Sequence, residues 1–412
     1  MPVSCDGCTK SRERLITTLD AMETQGAQTN AAAPDADASS TERIPSSAPA
    51  MVVAVEATRL TRELRGIGRY VRALLPRLVT HRPGLRLVLF VRRRDLDTVS
   101  RMIADHPAMR GRVDARPARE MVRSNADVFW FPWNIAGPSR AGAAVVVTMH
   151  DVAPLALPDP RLLRWRKNLR WRLRYAATAR RATIIMADSA FTADEVQRLL
   201  GYPRNRMHVV LLAADDLAAP SSTGDDAALA RLEVRRPFVL TVGAADPRKN
   251  LALVQRAMPQ VLERHPTVKL VLAGPRPRTR QDAERPWQQT LGFVSEEELA
   301  ALYRAAAVLV MPSTYEGFGL PVLEAMRLGT PVICARASSL PEVGGDAAAW
   351  VEPHDDVRLA ATISKVLSDE HTADLMRAAS KAQAARFSWD HTAQRTLAAF
   401  DDAVRVAALD RR

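Results

Sequence analysis

The sequence predicts an α/β fold of two domains, each built on a doubly wound parallel sheet, and three observations support that prediction. Short apolar runs such as Val145 to Met149 and Val308 to Met311 are typical of buried parallel strands. They alternate with amphipathic helical segments, as in chains of βαβ units. The chain has 412 residues, which is enough for two such domains.

Composition divides the chain into segments. Residues 1–50 are predicted to form a disordered N-terminal extension, because residues 25–50 are almost all Ala, Ser, Thr, Pro, Asp and Gln and offer little to bury. Residues 51–220 are predicted to form the N-terminal domain and residues 221–389 the C-terminal domain. Between them, a segment rich in Ala, Ser, Asp and Pro begins near residue 215 and is the candidate linker.

The chain is strongly basic, with a formal net charge of +12. This charge predicts attraction to anions such as nucleotides, diphosphate-linked lipids, acidic membrane surfaces or nucleic acid, without choosing among them. Three cysteines cannot form a disulfide framework for a chain of this length, which suits a reducing compartment. The sequence has no apolar run of about 18 residues and no apolar core of signal-peptide type, so we expect a cytoplasmic protein.

The stretch from Pro312 to Met326 combines a strand end, a glycine turn, a helix start and two carboxylates. Gly317 and Gly319 allow positive φ and close approach of a ligand to backbone amides, which also lie at the positive end of the following helix. The turn places Glu316 in the loop, whereas Glu324 is expected on the first turn of the helix. A ligand outside the carboxyl ends of the strands would meet both carboxylates and the amides.

This stretch, Glu316-Gly-Phe-Gly-Leu-Pro-x-x-Glu324-Ala-Met, resembles the donor site of the retaining family 4 glycosyltransferases, as do the Pro-Ser before it and the Gly-Thr-Pro-Val after it. The resemblance runs from about Met51 to the end of the chain. It implies the GT-B architecture, in which two Rossmann-like domains face each other across a cleft, the first for the acceptor and the second for the nucleotide sugar. It also implies that no metal is needed and that a last helix, residues 390–412, crosses back to the first domain. The donor-binding residues implied are Gly243, Arg248, Lys249, Val294, Glu316, Gly317, Phe318, Gly319, Leu320 and Glu324.

Two adjacent cations, Arg248 and Lys249, follow the predicted strand Phe238 to Gly243. Such a pair suits a leaving nucleoside diphosphate, whose negative charge grows as the glycosidic bond breaks. The family usually has an arginine directly after the glycine, where this chain has Ala244. The resemblance is therefore to the subset with Pro-Arg-Lys-Asn, in which Arg248 would supply the guanidinium.

The first domain offers candidates for the acceptor side of the cleft. Gly66 and Gly68 form a turn before a helix, and Val71 stands where a dinucleotide fingerprint needs a third glycine, so a nicotinamide enzyme is not predicted. His150 and Asp151 end a predicted strand, and the resemblance implies that this His lies near the transferred sugar. A simple tight turn and a structural His are the alternatives. The predicted catalytic set is Glu316, His150, Arg248 and Lys249, and the predicted acceptor or cleft set is Gly66, Gly68, His150 and Asp151.

No metal site is predicted, because the pair Asp95-x-Asp97 falls at a predicted helix start, where capping explains it.

Residues 161–181 carry nine Lys or Arg and no acidic residue. On a helix, Leu162, Trp165, Leu169, Leu173 and Ala176 would form one stripe, with Trp171 and Tyr175 nearly opposite among arginines. One interpretation is a helix that packs this stripe on the core and exposes a basic face. The other is peripheral contact with anionic lipid or a lipid diphosphate acceptor. Nucleic acid binding is not favoured, because no known binding module accompanies the pattern.

Together with these features, the resemblance implies a retaining, metal-independent glycosyltransferase of surface polysaccharide biosynthesis. It would move a sugar, with a mannose type favoured, from a nucleotide-diphosphate donor to a glycan or lipid-linked acceptor. It would use no cofactor and bind no nucleic acid, and it would work in the cytoplasm with peripheral contact at the inner face of the plasma membrane. The alternatives are a glycoside hydrolase using the Glu pair, and a non-enzymatic basic protein that binds anions or membranes.

Deletion of residues 1–50 is expected to leave fold and activity intact, because this segment offers little apolar surface to a core. Circular dichroism and a transferase assay on a chain starting at Met51 would check this. An insoluble or inactive truncation would contradict it.

Overall fold

The computed structural model describes residues 50–411 apart from 64–65, 159–164, 218–221, 244–245 and 276–284. The predicted N-terminal extension therefore lies outside the described residues except for Ala50. Leu162 and Ala244 lie outside them as well.

Within the described residues, seven parallel strands form a first sheet in the order β3-β2-β1-β4-β5-β6-β7. The strand β1 lies in the interior, with Met51 opposite Leu85 of β2 and Val53 opposite Val128 of β4. The order reverses between β1 and β4, which is where doubly wound sheets open a crevice at their carboxyl ends. The strands are β1 (Met51–Glu56), β2 (Leu85–Val91), β3 (Val113–Pro117), β4 (Val128–Phe131), β5 (Ala144–Met149), β6 (Ile184–Ala187) and β7 (Met207–Val209).

A second sheet of six parallel strands follows in the described chain, in the order β10-β9-β8-β11-β12-β13. Here β8 pairs with both β9 and β11, so the order reverses between β8 and β11. Its apolar core packs Val239, Leu270, Val308 and Ile333 against the covering helices. The strands are β8 (Phe238–Val242), β9 (Lys269–Ala273), β10 (Gln288–Gly292), β11 (Val308–Met311), β12 (Val332–Ala335) and β13 (Ala349–Val351).

Helices connect and cover the strands of both sheets. None of those in the described part of the chain combines the length and hydropathy needed to cross a bilayer. The helices are α1 (Ile67–His81), α2 (Leu96–Asp105), α3 (Ala153–Ala156), α4 (Trp165–Arg181), α5 (Ala190–Leu200), α6 (Ser222–Arg231), α7 (Leu251–Arg264), α8 (Glu296–Ala305), α9 (Leu320–Arg327), α10 (Leu340–Gly344), α11 (Asp356–Ser368), α12 (Glu370–Ala384) and α13 (Trp389–Leu409).

The last helix, α13, packs against α1 and the strands β4, β5 and β6 of the first sheet. Phe400 is fully buried and meets Trp130 edge to face, with ring centroids 5.6 Å apart. At the start of the helix, the Trp389 indole N–H donates to Asp216 Oδ1 at 2.9 Å. The C-terminal end of the chain is thus part of the core of its N-terminal half.

The predicted strands in the interior of both sheets are present, but three strands that the sequence did not predict lie at sheet edges: β3, β10 and β13. β3 reads Val-Asp-Ala-Arg-Pro and is only partly buried, because an edge strand needs neither a continuous apolar run nor a full ladder. The apolar run Met207 to Ala213 predicts a longer strand than the structure shows, since β7 ends at Val209. The spacing of Ser295 and Glu298 predicts a capping box, which the structure confirms at the start of α8.

The structure corrects the interpretation of Asp95. It precedes α2 but its side chain makes no capping hydrogen bond, and Asp97 lies in the first turn, where its charge suits the helix dipole.

The helix α4 turns the side opposite to the predicted stripe toward the protein. Tyr175 and Thr178 are buried, with exposed fractions of 1% and 0%, and the Thr178 hydroxyl accepts from the Ala136 amide at 3.1 Å. Trp165, Leu169 and Leu173 are instead exposed. The interpretation in which this stripe packs on the core is therefore wrong, because hydroxyl side chains with partners inside the domain take that position.

Phe400→Ala is expected to lower the free energy of unfolding by about 3–5 kcal/mol, because it removes a large side chain from a closed core. Urea denaturation of the two proteins would measure this. Leu409→Ala, at an exposed position on the same helix, is the matched control and should change stability by about 0.5 kcal/mol or less. Equal effects would contradict the placement of α13.

Candidate active site

The predicted donor residues gather where β8 and β11 end, at the point where the strand order of the second sheet reverses. After β8, a single helical turn, Pro247–Lys249, leads into α7. After β11, the glycine loop leads into α9, whose N-cap Gly319 has a φ of 109°. The Thr314 amide donates to the Arg248 carbonyl at 2.8 Å, so the two loops are joined through their backbones.

Lys249 and Glu316 form an ion pair between these loops. Lys249 Nζ lies 2.7 Å from Glu316 Oε1, and both side chains are mostly buried. The Glu316 amide also donates to Ser338 Oγ at 2.8 Å, which fixes the loop from the other side. The pair holds a cation and a carboxylate in defined positions at the carboxyl ends of β8 and β11.

Arg248 is held by two carboxylates. Its guanidinium donates to Asp246 through Nε and Nη2, the latter at 2.7 Å, and Nη1 lies 3.4 Å from Asp151 Oδ2. Burial opposes the charge, but the hydrogen bond and charge of Asp246 outweigh it and raise the pKa of Arg248 further. Since Asp151 follows β5 of the first sheet, Arg248 links the two halves of the site.

Glu324 is paired across the cleft with Arg69 of α1. Arg69 Nη1 lies 2.5 Å from Glu324 Oε1, and the Tyr303 hydroxyl donates to Glu324 Oε2 at 2.9 Å. Arg69 also pairs with Asp216 through Nε at 3.1 Å. Burial raises the pKa of Glu324, while the charge of Arg69 opposes that rise. Both oxygens of this carboxylate therefore have protein partners.

The position of Glu324 differs from the expected one. It is the fifth residue of α9, on the second turn, because the helix begins at Leu320.

Gly317 brings the glycine loop after β11 into backbone contact with the first domain. Its carbonyl accepts from Ser189 Oγ at 2.6 Å and from Thr192 Oγ1 at 3.0 Å, both at the start of α5. A side-chain Cβ at position 317 would overlap the carbonyl oxygen of His150. Glycine is required here for space.

His150 is buried, and both of its ring nitrogens have protein partners. Nδ1 lies 2.6 Å from Asp188 Oδ2 and Nε2 lies 2.9 Å from the Pro132 carbonyl oxygen. Burial alone would lower the pKa of His150, but the charge and hydrogen bond of Asp188, with the Pro132 carbonyl, outweigh it and raise the pKa. Because both partners are acceptors, the geometry suits a ring that is protonated on both nitrogens.

The other predicted donor residues border the same loops. Gly243 follows β8 with a φ of 80°, and a Cβ there would come 3.2 Å from Lys249 Cε. Val294 is buried in the second position after β10. Phe318 is buried, and its ring meets that of Phe387 with centroids 6.0 Å apart. Leu320 is the first residue of α9.

The glycine turn of the first domain lies close by, since it precedes Arg69. Gly66 is the N-cap of α1 with a φ of 55°, and a Cβ on Gly68 would overlap the Glu63 carbonyl oxygen. The turn therefore fixes where the first turn of α1, with Arg69, begins.

No role is predicted from the sequence for Arg69, Tyr303 or Asp188. A signal for Asp188 was available: β5 and β6 are neighbours with Met149 opposite Ala187, so the next residues along, His150 and Asp188, lie side by side. For Arg69 the signal was weaker, namely a cation directly after the glycine turn. Tyr303 gave none.

No group of three or more His, Cys, Asp or Glu side chains is placed to hold a metal ion within the described ranges of the chain.

The fold has close counterparts among solved structures. Sucrose-phosphate synthase from Thermosynechococcus elongatus superposes with a TM-score of 0.63 at 20% identity, covering 84% of this chain and 97% of that one. HepE from Anabaena, solved with UDP-glucose, gives a TM-score of 0.63 at 18% identity over 84% and 99%. Two parallel sheets with their carboxyl ends meeting at one cleft, shared with these proteins, define the α/β GT-B fold with two Rossmann-like domains.

Sequence comparisons identify the family. Residues 57–216 match the family model "Glycosyltransferase Family 4", and residues 230–384 match "Glycosyl transferases group 1". The O-antigen chain mannosyltransferase B of Escherichia coli is 31% identical over 82% of this chain and 96% of its own length. The MMP alpha-(1->4)-mannosyltransferase of Mycolicibacterium hassiacum is 31% identical over 56% and 57%. The chain belongs to the family 4 glycosyltransferases, and this membership decides against the hydrolase and the non-enzymatic alternative.

We expect the ring of His150 to titrate above its ordinary value of about 6.5, because Asp188 stabilises the protonated ring. NMR titration, with His150→Gln to assign the signal, would measure the midpoint. Asp188→Asn should lower it. A midpoint below 6.5 in the native protein, or one that Asp188→Asn leaves in place, would contradict the pairing.

The same pairing has a consequence for stability. A histidine whose pKa is raised on folding stabilises the fold below its unfolded pKa, and that contribution is lost as the pH rises through the folded pKa. Asp188→Asn should therefore cost more unfolding free energy at about pH 6 than at about pH 9, as measured by urea denaturation.

Proposed function

We propose that this protein is a retaining glycosyltransferase that moves a mannose-type sugar from a nucleotide-diphosphate donor to a glycan or lipid-linked acceptor in surface polysaccharide biosynthesis. The observation that carries the proposal is the Lys249–Glu316 pair, which lies beside Arg248 and joins the loops that lead into α7 and α9. The names of the two relatives, both mannosyltransferases, support the sugar, and the UDP-glucose in HepE supports a nucleotide sugar.

Transfer requires the bond between the sugar and the donor diphosphate to break, so the leaving diphosphate gains negative charge. Lys249, Arg248 and the first amides of α9 would stabilise that charge more in the transition state than in the bound donor, which is what lowers the barrier. Each cation already has a carboxylate partner, Glu316 for Lys249 and Asp246 for Arg248. The cations are therefore oriented before the donor arrives, so less reorganisation is needed.

The two glutamates would bind different parts of the donor. Glu316, at the tip of the loop, would bind the transferred sugar, and Glu324 would accept hydrogen bonds from the ribose hydroxyls. To do so, Glu324 would exchange at least part of its contact with Arg69 for the ribose. Donor binding would thus compete with a bond that joins the two halves of the site.

His150 and Asp151 would contribute on the acceptor side, next to the sugar. With both ring nitrogens engaged, His150 would act through its positive charge, or would give up the Pro132 carbonyl to bind a sugar hydroxyl. Gly66 and Gly68 would shape this side of the cleft.

The enzyme would use neither a metal ion nor another cofactor, because lysine, arginine and backbone amides supply the positive charge that a divalent ion supplies elsewhere. A lipid-linked acceptor would place it at the inner face of the plasma membrane as a peripheral protein.

Lys249→Ala and Arg248→Ala are each expected to slow transfer by about a hundredfold, on the order of 3 kcal/mol, because each removes a charge-assisted hydrogen bond to the leaving group. Glu324→Ala should weaken binding of the free nucleoside diphosphate as well as of the sugar donor. Glu316→Ala should leave binding of the free diphosphate intact, since Lys249 is left free to bind it, but should lower turnover of the sugar donor. Calorimetry with nucleoside diphosphates and a donor-turnover assay would measure these effects.

Chelator should leave the activity unchanged. A requirement for a divalent ion would overturn metal independence. If Glu316→Ala lowered the affinity for the free diphosphate as much as Glu324→Ala does, the division of roles between the glutamates would be wrong.

A further inference from the structure

The outward side of α4 carries a row of large apolar side chains in contact with solvent. Trp165, Leu169 and Leu173 are spaced by four residues, so they lie above one another along the helix. Their exposed fractions are 56%, 46% and 58%. Three aligned side chains of this size on one exposed face form a continuous apolar strip, which is typical of an interaction surface rather than of scattered surface residues.

This orientation is set from inside the protein. Tyr175 is buried on the opposite side, where its hydroxyl lies 3.4 Å from the Asp151 carbonyl oxygen, and the Thr178 hydroxyl accepts from the Ala136 amide. Rotating α4 to bury the strip would expose Tyr175 and break both contacts. The strip is therefore held outward by the packing of the helix.

Basic side chains flank the strip. Arg166, Arg170 and Arg174 repeat with the same spacing of four residues and form a parallel row beside it. All three are exposed, and the Arg166 guanidinium lies 5.5 Å from the centroid of the Trp165 ring. The helix contains no acidic residue.

We propose that this face of α4 docks the protein on an anionic lipid bilayer. Trp165, Leu169 and Leu173 enter the boundary between headgroups and acyl chains, and the arginine row binds lipid phosphates. A helix lying in the plane of the interface needs this combination of an apolar strip and a cationic border. Nucleic acid would be attracted by the same charge, but two aligned leucines offer it neither stacking nor hydrogen bonds, which favours the bilayer.

The location of the surface fits the proposed function, on which this one step rests. The buried side of α4 touches Asp151 through Tyr175, and Asp151 lies 3.4 Å from Arg248 at the donor loops. A bilayer in contact with the outer side of α4 would therefore present a lipid-linked acceptor one helix thickness from the cleft.

Flotation of the full-length protein with vesicles tests the proposal. We expect binding to phosphatidylcholine vesicles that contain about a third phosphatidylglycerol, and much weaker binding to phosphatidylcholine alone. The triple variant Trp165→Ser, Leu169→Ser, Leu173→Ser and the triple variant Arg166→Glu, Arg170→Glu, Arg174→Glu should each lower the partition coefficient at least about tenfold. Raising the salt concentration from about 0.1 M to 0.5 M should weaken vesicle binding by the native protein, because it shortens the screening length.

A matched control makes the same change of charge elsewhere. Arg93→Glu, Arg94→Glu and Arg101→Glu alter exposed positions at and before α2, and should change partitioning less than about twofold. If this control lost binding as strongly, net charge and not α4 would be responsible, and the proposal would fail. It would also fail if the native protein did not float, or if the two α4 variants bound as the native protein does.

Parallel measurements separate the possible failures. Circular dichroism and nucleotide binding should be unchanged in both α4 variants, because none of the six positions belongs to the candidate active site. Loss of affinity for single-stranded RNA in these variants, with vesicle binding retained, would replace the bilayer with nucleic acid as the partner. Vesicle binding without any donor turnover would overturn the proposed function and leave the docking surface standing.

Discussion

Each cation at the candidate active site is held by a carboxylate, and this pairing organises the rest of the cleft. Lys249 has Glu316, Arg248 has Asp246 and Asp151, and Arg69 has Glu324 and Asp216. Mostly buried charges are costly unless they are paired, so the pairs fix where the loops after β5, β8 and β11 can lie. The carboxylates already neutralise the positive charges of the site. An anionic donor would therefore replace carboxylates as the partners of these cations when it binds.

The interior of the fold was predictable from sequence because burial on both faces leaves a continuous apolar run. That signal fails at the edges. β3 and β10 contain Asp, Arg, Gln and Thr, and only their pairing with a neighbour reveals them as strands. The orientation of α4 also could not be predicted from the sequence. Its most apolar stripe faces solvent, whereas Tyr175 and Thr178 are buried through hydroxyl contacts that periodicity does not count.

The candidate site shows the same division between local and distant signals. Glu316, Gly317 and Lys249 stand in short motifs that follow predicted strands, whereas the contact of Lys249 with Glu316 is known only from the structure. Their roles remain predictions. Arg69 and Glu324 are 255 residues apart, so their contact depends on how two domains meet, which no local pattern encodes. The pairing of His150 with Asp188 lies between these cases, since it follows once the neighbouring strands are aligned.

Gly317 shows how closely the two halves of the candidate active site approach each other. Its carbonyl is bound by Ser189 and Thr192, and its missing side chain is what lets it lie on the His150 backbone. A single methyl group at this position would act as a spacer, wedging the donor loop away from the first sheet while leaving every charged group of the site in the chain. The thickness of one carbon atom therefore sets the gap between the two halves of the candidate active site.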